Sequence, residues 1–377
     1  MRADEQDALR RRCAIVVSGH GDDAPGAELA RVAEWCSQNG WRADRYGEGA
    51  LIGAFEARVA ALLAKPAAVF MPSGTMAQQV ALRIACDRAE NAVIAMHPTS
   101  HLELHEEHAY VRLHSLRAIL LGGRERPTSA RDVDELAETP AALLVELPAR
   151  EIGGRLPDWP DLVALTTLAG QRGIWRHMDG ARLWEAREHY APASYADICA
   201  QFDSVYVSFY KGIGALAGAM LLGPEDFIAE ARVWRRRHGG TLVQLHPFVA
   251  SAAMRFDGQL AKMPAYRARA AAFAESLAGI DGLSVEPAPP QCNLFHLHFQ
   301  APAEALTAAR DRIAGEDSAW LAPRLSADRG PGLASAEIYV GDSLLAVPSD
   351  EDRRLIAPLY AKMVELARDP ATAGAAR

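Results

Sequence analysis

Short, uninterrupted apolar runs recur through the middle of the chain, at Ala67–Met71, Ala92–Met96, Leu116–Leu121, Ala141–Leu147, Ile174–Met178, Ser204–Phe209 and Ala219–Leu222. Because they are continuous rather than alternating, they predict strands buried on both faces. Between several of them apolar positions recur at helical spacing, as in Thr75–Cys86 and Leu162–Arg172. This alternation predicts an α/β fold, a mostly parallel sheet with helices on both faces. After about Leu245 the texture changes. The Ala- and Arg-rich stretch Ala250–Leu277 predicts one long helix. Strands at Leu283–Glu286, Leu294–Phe299 and Ala336–Val340 follow, with helices at Glu304–Ile313 and Asp350–Leu366. The expected organisation is an N-terminal arm over 1–28, a large α/β domain over 29–245 and a smaller C-terminal α+β domain over 246–377, ending in a frayed small-residue tail from Ala371. In open α/β sheets ligands bind outside the carboxyl ends of the strands, so residues just past these runs are the candidates for chemistry.

Composition narrows the classes. The 377 residues carry 40 Lys+Arg against 48 Asp+Glu, a net charge of −8. The length suits two packed domains. An acidic balance without a dense basic tract argues against a nucleic-acid partner. Five cysteines (Cys13, Cys36, Cys86, Cys199, Cys292) lie far apart with no CxxC pair, the usage of a reducing compartment. The charged start MRADEQDALRRR has no apolar core, and no apolar run is long enough to span a bilayer. A cytoplasmic enzyme acting on a small molecule, with no membrane partner, is expected.

Arginine carries most of the positive charge; the only lysines are Lys65, Lys211, Lys262 and Lys362. Lys211 stands apart, following a buried strand and opening Lys211-Gly-Ile-Gly-Ala-Leu-Ala-Gly218. A lysine desolvated there has a lowered pKa and a nucleophilic amine, although a lone lysine leaving a turn for solvent is the commoner case. Asp179, in Trp175-Arg-His-Met-Asp179-Gly-Ala-Arg182-Leu, also ends a strand. Pro72-Ser73-Gly74-Thr75 joins a third strand to a helix, whose N-terminal N–H groups suit an anion. A Schiff-base lysine, a carboxylate for a protonated ring nitrogen and a phosphate cradle are the three needs of pyridoxal 5'-phosphate.

The sequence resembles the low-specificity L-threonine aldolases and the wider β-eliminating lyase family of fold-type I pyridoxal-phosphate-dependent, transferase-like enzymes. The matching segments are Tyr46-Gly-Glu-Gly, Pro72-Ser-Gly-Thr-Met-Ala, Ser100-His101, Glu146, His177-Met-Asp-Gly-Ala-Arg-Leu, Lys211-Gly-Ile-Gly and Trp234-Arg-Arg-Arg-His-Gly-Gly240. The resemblance implies that Lys211 holds the cofactor and Asp179 pairs with its ring nitrogen. Ser73, Gly74 and Thr75 would bind its phosphate, His101 would stack on its ring, and Arg182 would hold the substrate carboxylate. Ser18 and Tyr46 are further substrate-binding candidates. The resemblance also implies a homodimer or homotetramer with shared active sites.

The segment His97–His108 is the richest in histidine. On a helix His101, His105 and His108 share a face at spacings that can chelate a metal, and a polar face beside glutamates is the plainer alternative. The resemblance favours His101 as a stacking group and proton relay, with no metal expected, and leaves His105 and His108 open. Other positions depart from the family. Where the aldolases carry Asn-Thr-His after the glutamate, this chain has Leu147-Pro-Ala-Arg150-Glu151. Arg150 either meets an acidic substrate or pairs with Glu151. The early Ser-Asp-Thr becomes Ser18-Gly-His20, making His20 a candidate acid or base; Tyr210 stands where serine is usual, and Thr241-Leu-Val-Gln lacks the usual arginine. The expected reaction is retro-aldol cleavage of a threonine-like β-hydroxy-α-amino acid to glycine and an aldehyde. The alternatives are β-elimination on the same cofactor and a non-catalytic family member.

Overall fold

The structure, a computed structural model, describes residues 3–21, 23–327 and 330–369; the tail from Ala371 lies outside them. The chain divides into two compact units, one of Ala24–Ala261 and one of Met1–Asp23 with Lys262–Arg377.

The larger unit is built on a seven-stranded sheet, in the order Ala67–Met71, Ala219–Gly223, Ser204–Ser208, Trp175–Gly180, Ala142–Glu146, Val93–Met96, Arg117–Leu120. The last five strands of that order pair parallel, while Ala219–Gly223 runs antiparallel to both its neighbours. Each apolar run of the sequence is a strand, shifted by two residues at most. Helix Gly74–Arg88 starts where the Ser73 side chain accepts the Met76 N–H at 3.2 Å, an N-cap that ends the preceding strand's extension. Helix Trp159–Gln171 has Pro160 in its first turn, where a missing N–H costs nothing. Phe55, Phe70, Trp184, Phe209 and Phe256 form an aromatic cluster with ring centroids 5.0–6.3 Å apart.

The smaller unit carries a three-stranded antiparallel sheet, Ala334–Tyr339, Leu294–Phe299, Leu283–Glu286. In its central strand Phe295, Leu297 and Phe299 are buried while His296 and His298 are half-buried, the period-two pattern of a one-sided sheet. Near the N-terminus, Ile15–Val16 pairs parallel with Ala319–Trp320.

One expectation needs correction. The single helix Ala250–Leu277 is two helices, His246–Leu260 and Met263–Ser276, with Pro264 in the first turn of the second. A helix running through Pro264 would lose a donor and drive its ring into the Leu260 carbonyl. Helix His246–Leu260 falls in the unit Ala24–Ala261, which opens with helix Pro25–Gln38.

Candidate active site

Three carboxyl-terminal strand ends meet at one level. Glu146 pairs in register with Asp179, and Asp179 with Tyr206, so parallel register sets the three side chains on the same face of the sheet. Asp179 is buried and its Oδ1 accepts the Ala181 N–H at 3.0 Å, while Oδ2 accepts no hydrogen bond among the described residues. Burial raises its pKa, and the Lys211 charge pulls it back. Burial, then the Asp179 charge, raises Glu146 to about 7 against the Arg150 N–H (3.2 Å from its Oε1), Lys211 and His101.

Lys211 lies in the loop that joins strand Ser204–Ser208 to its antiparallel neighbour. Phe209 N–H donates to the Gly218 carbonyl at 3.0 Å, Ala215 N–H to Phe209 at 2.8 Å and Gly214 N–H to Lys211 at 2.9 Å. Glycine is required here for two reasons: Gly218 has φ +108°, and a Cβ on it would run into the Phe70 ring. The Lys211 side chain is half-buried, and Nζ has no hydrogen bond or ion pair among the described residues. Desolvation, then the Arg182 charge, lowers its pKa, against Asp179, Glu146 and Glu185. A larger fraction of neutral, nucleophilic amine results.

At the start of helix Gly74–Arg88, a Cβ on Gly74 would collide with the Tyr206 hydroxyl, so this approach of helix to strand is open to glycine alone. The N–H groups of Gly74 and Thr75 precede the first intrahelical bonds and donate to no described residue. Ser73, Gly74, Thr75, His101, Asp179, Arg182 and Lys211 all belong to the larger unit; the Arg182 charge acts on Lys211, and His101, in its protonated form, acts on Asp179. Tyr46 is not drawn into this group. It is 49% exposed at φ 56°, with its N–H on the Val243 carbonyl at 3.0 Å. Ser18 belongs to the smaller unit, where its hydroxyl accepts the Tyr339 N–H at 3.0 Å and donates to the Tyr339 carbonyl at 3.3 Å.

The histidine-rich segment disperses. His101 faces Glu106 (3.1 Å), His105 Nε2 faces Glu151 (2.8 Å), and His108 lies 4.0 Å from Glu103. No three His, Cys, Asp or Glu side chains among the described residues gather as a metal site. Arg150 Nη1 is bonded to Glu151 Oε1 at 2.9 Å. His20 sits in the smaller unit against Asp342 (3.2 Å), which Lys262 and Tyr266 also contact at 2.8 and 2.7 Å.

Sequence reasoning assigned no role to Tyr206, Glu106 or His177. Fully buried Ser208 was also missed; it lies three residues before Lys211, on the Tyr206 face of its strand, and that spacing was the available signal. His177, two residues before Asp179, is fully buried between Ser204 Oγ (2.8 Å from Nδ1) and Gln78 Oε1 (2.7 Å from Nε2). Ser204 Oγ also accepts the Trp175 indole N–H at 2.8 Å, so its own hydrogen goes to His177 Nδ1 and the imidazole donates from Nε2. Burial drops His177 to about 3, keeping it neutral.

Residues 41–300 match the family described as Beta-eliminating lyase. The chain belongs to that family. A Listeria monocytogenes crystal structure, proposed to be an L-allo-threonine aldolase, is 38% identical, with a TM-score of 0.90 over 96% of this chain and 99% of that one. The uncharacterized Caenorhabditis elegans protein R102.4 is 29% identical across 62% of this chain, and the match spans only 58% of its length. The Escherichia coli K12 low specificity L-threonine aldolase is 28% identical across 63% of this chain and 73% of its own length. The resemblance read from the sequence is therefore borne out, and the architecture is that of fold-type I pyridoxal-phosphate-dependent enzymes.

Proposed function

We propose that this β-eliminating lyase family member binds pyridoxal 5'-phosphate and cleaves a threonine-like β-hydroxy-α-amino acid to glycine and an aldehyde. The observation that carries the reading is the conjunction of a desolvated Lys211 amine without a polar partner and a buried Asp179 whose Oδ2 accepts nothing among the described residues. These groups fit the cofactor, as does a helix N-terminus kept clear by Gly74. When bound, the cofactor supplies an electron sink for the charge left at Cα when a bond to it breaks.

Each residue then has one task. Lys211 would hold the cofactor through its amine, and Asp179 Oδ2 would accept a hydrogen bond from the protonated ring nitrogen, keeping the ring cationic. Ser73, the Gly74 and Thr75 N–H groups and the Ser208 hydroxyl take the phosphate. His101 covers the ring, and its Nε2 accepts the proton of the substrate hydroxyl. Arg182 would hold the substrate carboxylate and so fix which bond to Cα is poised to break. Ser18 is a candidate further substrate contact. The exposed Tyr46, held at positive φ, would serve a neighbouring subunit's site in a homodimer or homotetramer. The five cysteines, all free, suit a cytoplasmic enzyme.

A second reading, β-elimination, draws support from Glu146, which near neutral pH holds a proton it can give to a leaving hydroxyl. Incubating the pyridoxal-phosphate-loaded protein with L-threonine, L-allo-threonine and L-serine separates the two. Glycine plus acetaldehyde from the first two supports aldol cleavage. Ammonia plus a 2-oxo acid supports elimination, and neither product, with no visible Schiff-base band, overturns both. Light scattering tests the assembly.

A further inference from the structure

His101 opens the short helix His101–Leu104, and its Nδ1 lies 3.1 Å from Glu106 Oε1. The other oxygen of Glu106 accepts an N–H from Gln79 Nε2 at 2.8 Å. Gln79 is 1% exposed and belongs to the helix that begins at Gly74 and Thr75; the Glu106 side chain is 2% exposed. A buried carboxylate is costly unless both oxygens are satisfied, and here one partner is an amide and the other is the His101 ring. The arrangement also leaves Gln79 Oε1 buried without a donor, a cost that packing alone gives no reason to keep. Neighbouring His105, its ring 5.2 Å away, is spent on Glu151 and does not compete for Glu106.

A carboxylate only accepts, so His101 Nδ1 carries the hydrogen, and the neutral ring presents Nε2 as its bare nitrogen. We propose that Glu106, anchored by Gln79, is a positioning residue that locks His101 in the Nδ1–H tautomer, so that Nε2 serves the site as its proton acceptor. The proposal rests on the reading of His101 given above and adds the group that selects which nitrogen works. Through Gln79 it also ties the histidine to the same helix whose first turn faces the phosphate, so ring and phosphate contacts share one rigid element.

The test is ¹⁵N–¹H NMR of histidine-labelled protein, cofactor-free and pyridoxal-phosphate-loaded, with the His101 signals assigned by their loss in His101→Gln. The wild type is expected to show the Nδ1–H pattern at pH 8 in both forms; an Nε2–H pattern overturns the proposal outright, whether or not any variant folds. In Glu106→Leu the Nε2–H pattern is expected, with kcat down at least tenfold and cofactor affinity, by fluorescence titration, within threefold of wild type. Glu106→Asp should recover part of both. An unchanged tautomer or a kcat within twofold in Glu106→Leu overturns the proposal. Absence of a Schiff-base band in the wild type would sink the functional reading and leave the tautomer result standing.

Discussion

Glu146 and Asp179 pair across adjacent parallel strands; burial and then the Asp179 charge raise the proton affinity of Glu146, while burial raises that of Asp179 and the Lys211 charge opposes both shifts. In the folded, cofactor-free protein Glu146 titrates near 7, against 4.5 for an ordinary glutamate. The folded state therefore binds a proton more tightly than the unfolded one. The stability it contributes is full below pH 4.5 and is lost as pH rises through 7. Buried His177 works in the opposite sense, since its folded pKa of about 3 removes stability as pH falls below 6.5. The difference between wild type and Glu146→Gln isolates the glutamate. Urea melts from pH 4.5 to 8 should show the wild type losing up to about 3 kcal/mol relative to the variant as pH rises, and parallel curves would refute the buried coupling.

Lys211→Ala should abolish turnover, at least about a thousandfold, and remove the visible Schiff-base band while leaving the melting temperature of the cofactor-free protein within a few degrees. Asp179→Asn, nearly isosteric, should keep the band but lower kcat by about a hundredfold or more, because an amide cannot hold the ring nitrogen's proton. Absorption spectra and steady-state rates on the same preparations check both, and a fully active Asp179→Asn would remove the central carboxylate from the mechanism.

Gly74→Ala sets a methyl against the Tyr206 hydroxyl. Overpacking of this kind costs about 1–3 kcal/mol and forces helix and strand apart. We expect cofactor affinity to fall more than tenfold, with partial recovery in Gly74→Ala/Tyr206→Phe, where the colliding oxygen is gone. Fluorescence titration of the cofactor decides it; equal loss in the single and double variants would show that Tyr206 is not the obstacle.

Ser204→Ala breaks a buried relay, leaving the Trp175 indole N–H without its acceptor and His177 Nδ1 without its donor. Two unmet buried groups cost about 2–5 kcal/mol. Thermal melts should show that loss with little change in kcat for the protein that remains folded, since the relay acts in the body of the sheet beneath Asp179.

The seven-stranded sheet was legible because continuous apolar runs have few other fates than strands covered on both faces, and Ala67–Met71 matches to the residue, as does the alternating Leu294–Phe299 in the smaller sheet. Lys211, Asp179 and Gly74 were legible because each ends a strand beside a glycine. Pro264 stands in the sequence too, but the helical periodicity on either side of it concealed the break. Glu106 and Gln79 were not legible, because a glutamate in a polar histidine-rich stretch gives no sign of burial, and its partner lies 27 residues earlier. The pairing of Ile15–Val16 was hidden for the same reason, since two residues make no pattern and their partners lie some three hundred residues away.

That last pairing sets a timetable. Ribosomes add about 5–20 residues each second, so the strand at Ile15 emerges about 15–60 s before Ala319 exists to receive it. Through that interval the first twenty residues have no sheet to join, while every strand of the seven-stranded sheet is made by Gly223 and can close first. The nascent chain must keep its early segment harmless until its late one arrives, and the charged sequence ahead of Ile15, with four acidic or basic residues from Asp4 to Arg10, is well suited to that wait.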